Sequence, residues 1–181
     1  TYVLYGRHSL ALSSGATSGG IDHQKMPAGR ARLALAKAVD LDPRFGEAWA
    51  LLAVAQLRPG GDLDAALSAI ARSRELLPQR LDLVALEVRA RLKQGDVDRA
   101  AKVLGYELVP FDKDLDRVAS LWEDVDRTRL ILQSQEAFER GDDDEGLRLF
   151  DEAVDLTTDD ALRSRLEDEL LRLQRQAEGR R

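Results

Sequence analysis

The sequence predicts an all-α protein built as an array of helix pairs, and three observations carry that expectation. There are 31 leucines and 24 alanines among 181 residues, against 19 Val, Ile and Thr together and 9 aromatic residues, a balance that favours helix over strand. A small residue followed four positions later by a large apolar one recurs along the chain, at Ala31 and Leu35, Ala66 and Ile70, Ala100 and Leu104, and Gly146 and Phe150. Short breaks of turn chemistry, Pro59-Gly60-Gly61-Asp62, Gly95-Asp96 and Gly141-Asp142, divide the helical stretches at similar intervals. With 44% apolar and 33% charged residues and no apolar run of membrane length, the chain reads as folded and not membrane-inserted.

The stretch from Phe45 to Pro78 is the most informative. Trp49 is followed by Leu52 and small Ala53; after the Pro59–Asp62 turn come Ala66, Ile70 and finally Pro78. A large Trp fills the gap between paired helices, small residues let the helices approach, and proline ends the second helix because it lacks a donor. This pattern resembles the tetratricopeptide repeat, with Ala53 for its glycine, Gln56 for its tyrosine, Ile70 for its phenylalanine and one extra turn residue.

That resemblance organises the remainder in order. A first unit, about 1–43, pairs a helix over 1–13, where Tyr2, Tyr5 and Gly6 stand at large, large and small positions, with a second helix carrying Ala31, Leu35 and Ala38 before Pro43. Between them an insertion, 14–27, rich in Ser and Gly, has the composition of a surface loop. The second unit is 44–78. A third, 79–107, has Ala100 and Leu104 in place, but Glu87 stands where a buried leucine is expected and no proline closes it. An extra short helix at about 113–123 follows Pro110, with Leu115, Val118 and Trp122 on one face, either separate from a fourth unit, 125–156, or running straight into it. A last helix, about 159–177, is expected to be capped by Thr157 or Thr158; its Leu162, Leu166, Leu170 and Leu173 form one apolar stripe suited to covering the end of the array. The fold the resemblance implies is one domain, a right-handed α-α superhelix of tandem tetratricopeptide-like helix pairs with a C-terminal capping helix.

Chemistry finds little support in the residues. Without cysteine there is no disulfide, thiolate metal site or thiol nucleophile. His8 and His23 have no partner at metal-ligand spacing, and no catalytic or phosphate-loop motif is present, so neither catalytic residues, metal nor cofactor is expected. The run Asp142-Asp143-Asp144-Glu145 lacks the alternation of a calcium loop and suits the positive pole of a helix. By thirds the net charge runs +3, −1 and −8, totalling −6; the acidic end argues against nucleic acid.

Function is then implied by the resemblance alone. Repeats of this kind line a concave groove chiefly with the first helix of each pair, which here selects Val3 and Arg7, then Ala50, Val54 and Arg58, then Ala85, Arg89 and Lys93, then Ile131 and Gln135. The chain is expected to be a non-catalytic scaffold for a protein or peptide ligand. A clamp of lysines and asparagines, as in chaperone-binding members, is disfavoured because the chain has no asparagine. Two other readings stand beside it: the helical accessory region of a larger bacterial, peptidase-like enzyme, and self-association through a helix edge. The opening at Thr1, without initiator methionine or signal segment, reads as a processed product or a piece of a larger parent.

Overall fold

A computed structural model describes residues 25–180, which contain no strand and form α1 (Lys25–Leu41), α2 (Gly46–Gln56), α3 (Leu63–Leu76), α4 (Leu81–Gln94), α5 (Val97–Val103), α6 (Leu115–Glu139), α7 (Asp143–Leu156) and α8 (Asp160–Arg180). A π turn, Leu104–Leu108, follows α5. The helices pack in sequential pairs. The chain divides between Gln94 and Gly95 into two compact units, a boundary that falls inside the third expected helix pair.

In the first unit α1 packs on α2, α2 on α3 and α3 on α4. The expected helix over 1–13 and most of the insertion lie outside the described residues. The insertion was expected to reach residue 27, but α1 already begins at Lys25. Pro27 is accommodated because it sits in the first turn, where a backbone N–H has no partner within the helix. Ala31, Leu35 and Ala38 of α1 are buried together with Leu52 and Ala53 of α2 and Ala69 and Ile70 of α3, in one core. Trp49, expected as a buried wedge, is only half-buried: its ring packs against this core while Nε1 donates to the Pro43 carbonyl at 3.0 Å.

The departures of the second unit from the repeat pattern compensate one another. Gln56 Oε1 accepts the Asp62 N–H at 3.1 Å and so closes the longer turn. Gly61 is obligatory there, since a Cβ would lie 1.9 Å from the Gln56 carbonyl oxygen. Asp62 then caps α3 by accepting the Ala65 N–H at 3.0 Å, and Asp96 and Asp142 do the same for α5 and α7. Glu87, the carboxylate at an expected leucine position, keeps only 12% of its side chain exposed and is flanked by Arg74 and Arg91, so its charge is matched by two guanidinium groups.

In the second unit α5 packs on α6, α6 on α7 and α7 on α8. Past Val103 the helix widens into the π turn, where the Val109 N–H donates to the Leu104 carbonyl at 3.0 Å. Leu104 and Leu108 are buried, while Tyr106 and Phe111 are largely exposed. Buried Asp112 organises the entry to α6: Oδ1 accepts the Asp114 N–H at 3.0 Å and Oδ2 accepts Arg117 Nε at 2.8 Å. These two partners, the Asp114 N–H foremost, hold its carboxyl below the usual carboxylate range despite burial.

Of the two alternatives for the extra helix over 113–123, the structure has the continuous one: it and the first helix of the fourth unit are one helix of 25 residues. No glycine or proline interrupts it, and across the junction Arg127 reaches back one turn to Glu123 at 3.2 Å and to Asp124. One expectation for this unit is corrected: Thr157 and Thr158 do not cap α8. Asp159 does, accepting the Leu162 N–H at 2.7 Å. The Thr157 hydroxyl is buried and donates to the Ala153 carbonyl at 2.8 Å, while the Thr158 N–H and hydroxyl donate to Glu123 at 3.0 and 2.7 Å. As the leucine stripe suggested, Leu166, Leu170 and Leu173 cover Phe150 and Val154 of α7 and Ile131 of α6.

Candidate partner-binding surfaces

The groove residues expected from the sequence fall into three groups: those outside the described residues, those of the first unit and those of the second. Val3 and Arg7 lie outside the described residues, as do His8 and His23. In the first unit α2 and α4 run alongside each other in the same direction. Arg80, one residue before α4, donates to Glu47 in the first turn of α2 at 2.6 Å; near the other end Lys93 Nζ donates to the carbonyl of Leu57, the C-cap of α2, at 2.8 Å. A cation at a helix C-terminus also meets the negative pole of its dipole. Ala50 and Ala85 are buried, and Val54 is half-buried against the core. Arg58 is half-buried beyond α2, and the side chains of Arg89 and Lys93 are exposed on α4. The alanines therefore serve helix approach, and of these residues Arg89 and Lys93 are the exposed ones.

In the second unit Ile131 is half-buried in the core under α8, and exposed Gln135 lines a cleft of about 240 Å³. Phe138 and Glu139 of α6, Asp143 of α7 and Leu173, Gln176 and Ala177 of α8 complete its wall. The cleft sits where α6 and α7 approach closely, for the Ser134 hydroxyl donates to the Gly146 carbonyl at 2.7 Å and both residues are buried. A Cβ on Gly146 would stand 2.7 Å from the Phe138 ring, so glycine there lets the ring lie against α7. Sequence reasoning missed this cleft, although the small residues Ser134 and Gly146, twelve positions apart like Val88 and Ala100, were visible in it.

The two surfaces differ in charge. Residues 1–94 carry 13 Lys and Arg against 9 Asp and Glu, whereas residues 95–181 carry 14 against 24. Near the start of α7, Arg148 pairs with Glu145 at 2.7 Å and holds its carboxyl below the ordinary range. Burial opposes the charge of Glu123, but the N–H and hydroxyl of Thr158 together with Arg127 bring its pKa below the ordinary value. Among the described residues no group of three or more His, Asp and Glu could hold a metal ion, and no helix is long and apolar enough to cross a membrane. No family model matches the chain, and no curated protein matches its sequence significantly.

Proposed function

We propose that the helix pairs are tetratricopeptide-like, stacking as a right-handed superhelix, and that the chain is a non-catalytic scaffold holding a partner protein or peptide on the first helices of its pairs. The observation that supports this reading most is the alignment of α2 and α4, pinned by Arg80 to Glu47 at one end and by Lys93 to Leu57 at the other. Side-by-side first helices are what a stacked array requires, and they bring Val54 of α2 and Arg89 of α4 onto neighbouring helices, with Arg58 just past the end of α2. This mixture suits an extended segment with an apolar residue flanked by carboxylates or a chain terminus. Each charge-assisted contact shielded from water is worth about 1.5–3 kcal/mol.

The test is an array of peptides of graded charge, probed with the full chain and with an R58E/R89E variant of unchanged helicity. Acidic peptides captured by the parent chain and lost by the variant are the expected result. Equal capture by both proteins would remove the first-helix strip as the binding surface.

A further inference from the structure

We propose that the outward face of α1 docks on α8 of a second copy of this chain, so that copies join head to tail. Such joining is independent of peptide capture on the first helices. On one side α1 buries Ala31, Leu35, Ala38 and Val39. On the other, Arg30, Leu33, Lys37 and Leu41 follow one another at i, i+3, i+7 and i+11 and so share a face. All four are exposed, Leu33 by 75% and Leu41 by 63%. Arg30 and Lys37 have no ion-pair partner among the described residues. Two exposed leucines alone call for no partner. What selects one here is the charge around them and its spacing.

The complement is carried by the same chain. Leu166, Leu170 and Leu173 of α8 face the core, while Asp160, Glu167, Leu171 and Glu178 form a strip on its exposed side, with Leu171 50% exposed. Asp160, Glu167 and Leu171 stand at i, i+7 and i+11, the spacing of Arg30, Lys37 and Leu41 on α1. Two such helices side by side in the same direction set Arg30 against Asp160, Lys37 against Glu167 and Leu41 against Leu171 in one register. Asp40 borders the first strip and Arg175 the second, and each is outnumbered there by charges of the other sign. A second α1 would set cation against cation. Joining α1 to α8 instead matches the basic excess of four in residues 1–94 with the acidic excess of ten in residues 95–181. The contact is heterologous, so a joined pair keeps one α1 face and one α8 face open to further copies. Exposed ion pairs each contribute little, so the association is weak and salt-dependent.

The test is sedimentation equilibrium of the full chain at low ionic strength, from about 10 µM to 1 mM. The average mass of the parent is expected to rise with concentration. R30E/K37E and D160K/E167K, each with the helicity of the parent, should associate with themselves at least tenfold more weakly. Mixed together they should associate again, because every α1 to α8 contact between the two variants is of opposite sign; variants that had merely lost their fold would not. R58E/R89E and D151K/D155K carry the same charge changes on other helices or turns of each unit and should stay within twofold of the parent. A weakening there equal to that of the strip variants would show diffuse attraction and overturn the proposal. So would strip variants that associate like the parent, or a mixture that stays monomeric. A parent that remains a monomer to about 1 mM, as it would if residues 1–24 or a different protein took the α1 face, overturns it as well.

Discussion

The hairpin of α2 and α3 and the hairpin of α6 and α7 solve the same packing problem with a serine–glycine tie set at different distances from the turn. In the first, Ala53 and Ala66 are both fully buried near the turn, and far from it the buried Ser73 hydroxyl donates to the Gly46 carbonyl at 3.0 Å. In the second the corresponding residues are Ser134 and Gly146, and the approach is fixed by a hydroxyl donating to a main-chain carbonyl at 2.7 Å. Beside the turn the alanine pair offers only apolar surface, whereas the serine–glycine pair adds a directional hydrogen bond to a carbonyl inside α7. The removed Cβ also admits the Phe138 ring, which then forms one wall of the cleft. The same hydroxyl-to-carbonyl tie thus lies far from the turn in the first unit and beside the turn, next to a hollow, in the second.

The largest effects test whether the two cores weigh equally. Phe150 and Ile70 hold equivalent places, four residues after Gly146 and Ala66, and both are buried. Phe150→Ala should cost about 3–5 kcal/mol and Ile70→Ala about 2–5 kcal/mol by denaturant unfolding, because each leaves a cavity under a neighbouring helix. Trp49→Ala should fall near the low end, about 3 kcal/mol, since the indole is half-buried and hydrogen-bonded at its edge. A cost for Phe150 under about 1 kcal/mol would mean that α8 does not seal the second core.

The contact of α6 with α7 is the next point of attack. Gly146→Ala should destabilise by about 1–3 kcal/mol, because its Cβ must displace the Phe138 ring, and it should also reshape the cleft. Ser134→Ala should cost about 1 kcal/mol through the lost hydrogen bond to the Gly146 carbonyl. Ala53→Gly, by comparison, acts on helix propensity and a lost methyl and should leave the geometry of its turn unchanged. If Gly146→Ala proved neutral, the two hairpins would not differ in kind.

Much of this fold was readable from residue order, because it depends on local signals: small-then-large spacing on second helices, Gly-Asp turns and the leucine stripe of α8. Ala31 and Leu35, Ala66 and Ile70, Ala100 and Leu104, and Phe150 are all buried as their spacing implied. What escaped depends on contacts between distant residues. Glu123 meets Thr158 across 35 positions, which takes Thr158 out of the capping role that its sequence position offered. Gln56 closes a turn where the pattern has an aromatic ring. The candidate surface was legible only as a face. That Ala50 and Ala85 lie buried while Arg89 is exposed depends on how closely α2 and α4 approach, a distance that spacing along one helix does not encode.

The smallest effect concerns the polar tie that the second unit has between α6 and the turn before α8. Glu123 has its carboxyl held below its ordinary pKa in the folded state, so folding favours the charged form and the unfolded chain binds the proton more readily. Its contribution is therefore present above the ordinary glutamate range and is lost as the pH falls through the folded value. Glu123→Gln keeps the shape of the side chain but removes the charge that faces Arg127, and it leaves one amide oxygen for the two Thr158 donors. The variant should be less stable than the parent at pH 7, and the two denaturation midpoints should converge as the pH is lowered into the acid range. Parallel curves at every pH would show that Thr158 is held by shape and not by the carboxylate.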